Sequence, residues 1–79
     1  MNKIQIEKEV VSQIVAMYPN SWHYMDKAAM SEYAYQIHEA LNQSNLNNKH
    51  SIERGLVSVR TLGGSELPSV PVFISWCEK

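Results

Sequence analysis

The apolar positions of this chain recur at spacings of three and four in four separate stretches, the pattern of helices that each bury one face. The first stretch predicts a helix over 3–18, capped by Asn2, with Glu7 and Glu9 near the positive end of its dipole. Ile4, Val11, Ile14, Val15 and Tyr18 form its stripe, Ile6, Val10 and Met17 widen it, and Pro19-Asn20-Ser21 stops it. Asp26 caps a second helix over 27–43, whose seam is Met30, Tyr33, Ala34, Ile37, Ala40 and Leu41, while Tyr35, His38 and Glu39 face elsewhere. The alanines on that seam let another helix approach closely. A polar connection from Ser44 to Asn48 ends in a cap, and Leu46 within it is placed to pack as a staple on the next helix.

The third helix is predicted over 49–62, with Ile52, Leu56 and Val59 as its stripe and Gly63-Gly64 at its C-terminal stop. Gly55 lies inside it, where glycine costs about 1 kcal/mol relative to alanine, so it either marks a close helix contact or is merely tolerated. The last helix is predicted over 69–78. Leu67 and Pro68 lead in, Ser69 caps, and Pro71 stands in the first turn, where its missing N–H costs nothing. Val70, Phe73, Ile74 and Cys77 make its apolar stripe, and Trp76 falls off it. A helix this short does not stand alone in water and must dock on the others. The expectation is an all-α fold, one four-helix domain spanning residues 1–79.

Composition narrows the setting. At 79 residues the chain sits near the lower limit for a self-sufficient core, and its apolar share of 44% is that of a globular domain. A net charge of −1 gives no general attraction to nucleic acid or to anionic membranes. Cys77 is the single cysteine, so there is no internal disulfide framework and a reducing compartment fits. The first residues are too charged for a signal sequence, and no apolar run reaches the roughly 20 residues of a membrane span. Those features predict a cytoplasmic protein without membrane contact.

Candidate chemistry is sparse. His23, His38 and His50 share no helix, and the His50–Glu53 pair at i,i+3 is only half of a two-helix metal site. Cys77 lies near the C-terminal end of a helix, where the dipole disfavours a thiolate. The serines lack a nucleophile-elbow context, Gly63-Gly64 is too short for a phosphate loop, and the carboxylates are scattered. The sequence predicts no catalytic residues, no cofactor and no metal.

What stands out is aromatic. Trp22 and Tyr24 lie in a linker rich in large side chains, and either plug the gap between the first two helices or form a knuckle for a partner, since Trp and Tyr are enriched at binding hot spots. With Tyr35 and Trp76 they are the large aromatics least explained by the helix stripes, and Arg54 and Arg60 are the charged residues that would accompany them. The basic residues of the third helix, Lys49, His50, Arg54 and Arg60, admit a second reading in which that helix lies in a DNA groove, although Glu53 stands among them. A symmetric homodimer that completes its core by pairing is a third.

Leu67-Pro68-Ser69 followed by Phe73 and then Trp76-Cys77-Glu78 resembles a segment of the lambda phage replication protein P family, at the close of its first helical region. Upstream, Ile14-Val15-Ala16-Met17-Tyr18-Pro19, Asp26, Gly55-Leu56 and Arg60 fall at comparable places, so the likeness covers roughly residues 14–79 without a gap. Members of that family are helicase loaders, which hold the bacterial replicative helicase and deliver it to an origin marked by an initiator protein. The resemblance implies a phage or prophage protein of DNA replication that binds the replicative helicase or the initiator and performs no reaction itself.

Overall fold

The computed structural model describes residues 1–18, 25–62, 64 and 66–78, and among them it is all-α, with four helices and no strand. The first helix, α1, is built of three consecutive segments, α-helical Lys3–Gln5, π-helical Ile6–Val11 and α-helical Ser12–Met17. Next come α2 (Lys27–Gln43), α3 (Lys49–Leu62) and α4 (Val70–Glu78). The expected boundaries hold to within a residue because the caps are in the sequence. The Asn2 side chain accepts from Gln5 N–H at 2.8 Å while the Gln5 side chain accepts from Asn2 N–H at 2.9 Å, a reciprocal capping box. Asp26 accepts from Ala29 N–H at 2.8 Å, Asn48 from Ser51 N–H at 2.8 Å and Ser69 from Val72 N–H at 3.4 Å. The expected stops at Pro19-Asn20-Ser21 and Gly63 lie outside the described residues.

The end of α2 corrects one expectation. Asn45 takes a left-handed φ of 56°, its N–H donates to Asn42 O at 3.2 Å, and Leu46 N–H donates to Leu41 O at 2.8 Å. That pair of bonds is a Schellman motif with asparagine in the place usually held by glycine. Leu46 is therefore the apolar closure of α2, packed against the core, and Asn47 holds the position before the cap of α3 where a staple residue would stand. Asn47 is polar for a reason: its side chain accepts from the Met1 ammonium and donates to Met1 O, each at 2.7 Å, pinning the start of α1.

The π-helical stretch corrects a second expectation. At about 100° per residue a regular α-helix puts Ile4 on one side with Val11 and Val15, and Ile6 opposite. In the structure Ile4 is 61% exposed, whereas Ile6, Val10, Val11 and Ile14 are buried. Ser12 N–H donates to Glu7 O, five residues back, so each turn takes up an extra residue and the upstream end is rotated relative to the downstream end. The rotation carries Ile6 and Val10 onto the core face and Ile4 off it. Side chains from the next turn, Ser12 Oγ and Gln13 Nε2, donate to the carbonyls of Lys8 and Glu9.

The helices are not arranged in chain order. The α1 helix packs along α2, with Lys3 Nζ donating to Ser31 Oγ at 2.8 Å, and its C-terminal half also reaches α3. The short α4 makes the closest association of the molecule with α3 and also packs on α2, so α2 and α3, neighbours in sequence, are joined mainly through α1 and α4. Tyr33 of α2 fastens the start of α4 by donating its hydroxyl to Pro68 O at 2.8 Å. Phe73 and Cys77 fill the centre with Ile37, Leu41, Leu56 and Val59. No helix among the described residues is long and apolar enough to cross a membrane.

Candidate interaction site

The close fit of α4 against α3 is written in Gly55. A β-carbon built there would stand 2.5 Å from Cys77 Sγ and 3.0 Å from Cε1 and Cζ of Phe73. This is the close helix contact that a mid-helix glycine signals. Its consequence lies one residue away on each helix: with Gly55 against Cys77, Arg54 and Trp76 come to the same rim. They line one open depression of about 320 Å³ together with His50, Glu53, Val57 and Ser58.

Each wall of the depression has a local origin. His50, Arg54, Val57 and Ser58 follow one another at helical spacing along the side of α3 that points away from Ile52, Leu56 and Val59. Val57 is 48% exposed although apolar, and Trp76 is half-buried, its inner part packed on the core. Arg54 is half-buried too. Its one hydrogen bond among the described residues is Nη2 donating to Ser51 Oγ at a long 3.3 Å, and its Nε is closed off from water with no acceptor. Inward of it, burial pushes the Cys77 thiol up to about 11, a shift that a hydrogen bond with the Gly55 backbone and the nearby Arg54 charge only partly oppose. Cys77 is thus a packed, protonated core residue.

Of the six residues singled out in the sequence, the structure brings Arg54 and Trp76 together. Tyr35 stands on α2, 44% exposed, and lines neither this depression nor its neighbour. Arg60 is exposed on α3 beyond the lining residues, and Trp22 and Tyr24 lie outside the described residues. Val57 is the residue that sequence reasoning missed; its signal was an exposed apolar position out of step with the Ile52, Leu56 and Val59 stripe. On the other side of Glu53, a groove of about 280 Å³ runs between α1 and α3, floored by Val10, Ile52 and Leu56 and edged by Gln5, Glu9, Gln13 and Lys49. No three His, Cys, Asp or Glu side chains converge among the described residues.

An open hollow with a half-buried tryptophan, an exposed valine and a guanidinium can hold another chain's side chains. No protein-family model, curated protein or solved structure matches the chain.

Proposed function

We propose that this domain works by protein–protein contact in DNA replication, in the manner of a helicase loader, without catalysing a reaction. The replicative helicase is the partner this reading names, with the initiator protein next. One observation carries the contact half of the reading: Arg54 and Trp76, far apart in sequence, meet at an open depression beside the half-exposed Val57. Tryptophan and arginine are the residue types that dominate binding hot spots, and Trp76 is packed against the core so that it loses little freedom on docking. The replication half rests on the resemblance over residues 14–79.

The test is light scattering on a size-exclusion column with the purified replicative helicase of the host. The wild-type chain is expected to co-elute at a defined stoichiometry, and Val57→Glu, an exposed position whose change leaves the core intact, to elute separately. Separate elution of the wild type at micromolar concentrations overturns the helicase reading. Binding to duplex DNA that weakens steeply with salt would put the third helix on phosphates instead.

A further inference from the structure

We propose that the depression between α3 and α4 recognises a carboxylate next to an apolar side chain on the partner, with the carboxylate on Arg54 and the apolar group on Val57 and Trp76. This rests on the reading of the site as a partner surface and adds the chemistry of what it takes. The argument begins with donors. A guanidinium carries five N–H donors and stays charged at any pH a protein meets. Arg54 satisfies one of them weakly, at 3.3 Å, and has Nε shut away from water without an acceptor. A carboxylate in the depression does not reach the enclosed Nε, but it can take N–H groups of the two terminal nitrogens side by side, a charge-assisted pair with a half-buried guanidinium.

Charge and polarity around the hollow select the class of anion. Arg54 faces it with His50, and Glu53 is the one carboxylate on its lining. A phosphate backbone is held by several cations at once, and a tryptophan and a valine beside a glutamate do not supply them. A single carboxylate flanked by an apolar group matches what is there: one guanidinium, an apolar wall and a volume of about 320 Å³ that holds one or two side chains.

The experiment uses the intact chain and a small probe, so that it does not depend on the helicase. Isocaproate carries a carboxylate and a branched apolar end; inorganic phosphate carries the charge alone. Titrated in turn into the ¹⁵N-labelled protein, isocaproate is expected to shift the Arg54 Nε–H and Trp76 indole N–H resonances together and saturably at millimolar concentration, and phosphate to shift them at least tenfold less. Arg54→Gln is expected to weaken isocaproate about tenfold or more, Arg54→Lys to weaken it partly because the charge stays and the paired geometry goes, and Lys27→Gln to leave it unchanged. Dispersed amide spectra of each variant show that it is folded. Equal response to phosphate, or no saturable isocaproate shift in the folded wild type, overturns the proposal, and the first result leaves a site for anions in general. If isocaproate binds while the helicase does not co-elute, the helicase reading falls and the carboxylate site stands.

Discussion

Gly55 shows how one missing carbon sets the geometry around it. Because Cys77 Sγ and the Phe73 ring occupy the space of its absent side chain, Gly55→Ala is expected to destabilise the domain by about 1–3 kcal/mol, despite alanine's better helix propensity. Adding Cys77→Ala should return part of that loss, because it removes the atom in closest conflict, and urea unfolding of the two single variants and the double variant measures the coupling. The same cysteine gives a pH signature. Its thiol is raised from 9.0 to about 11 in the folded state, so the folded protein keeps a proton that the unfolded chain releases. The stabilisation is complete below pH 9.0 and is lost as pH rises toward about 11. Buried Tyr18, also shifted upward, adds a loss of the same sign at alkaline pH. Unfolding curves between neutral and alkaline pH should show stability falling, with the Cys77 share absent from Cys77→Ala.

At the scale of elements, the caps and the apolar stripes of α2, α3 and α4 were legible in the sequence, and the helical phase of α1 was not. Asn2, Asp26, Asn48 and Ser69 all accept from the first turn of their helices, which is why boundaries read from side-chain chemistry hold. The apolar residues of α1 offered two overlapping stripes, one through Ile4 and one through Ile6 and Val10, and local periodicity cannot rank them. Packing on α2 selects the second, and the backbone meets it by winding Ile6–Val11 as a π-helix. Ile6→Ala is therefore expected to cost about 2–5 kcal/mol and Ile4→Ala less than about 0.5 kcal/mol, read from denaturant midpoints. A regular α-helix would reverse that order. The candidate site was half legible for a related reason: Arg54 and Trp76 each stood out alone, but their meeting depends on how closely α4 approaches α3, which only Gly55 hinted at.

Across the whole molecule, α4 touches both α2 and α3, and its Phe73 is fully buried between them. Phe73→Ala is expected to cost about 3–5 kcal/mol. A domain of 79 residues has roughly 4–12 kcal/mol in total, so circular dichroism should show the whole molecule, not α4 alone, melting at much lower temperature. The non-sequential arrangement also has a meaning for the chain as it is being made. The ribosome delivers α2 and α3 before α4, so until α4 docks only α1 bridges the two helices, and the sides of their apolar stripes that Phe73 and Cys77 cover stay open. Until Val70–Glu78 docks, the nascent domain is a substrate for chaperones and a hazard for aggregation.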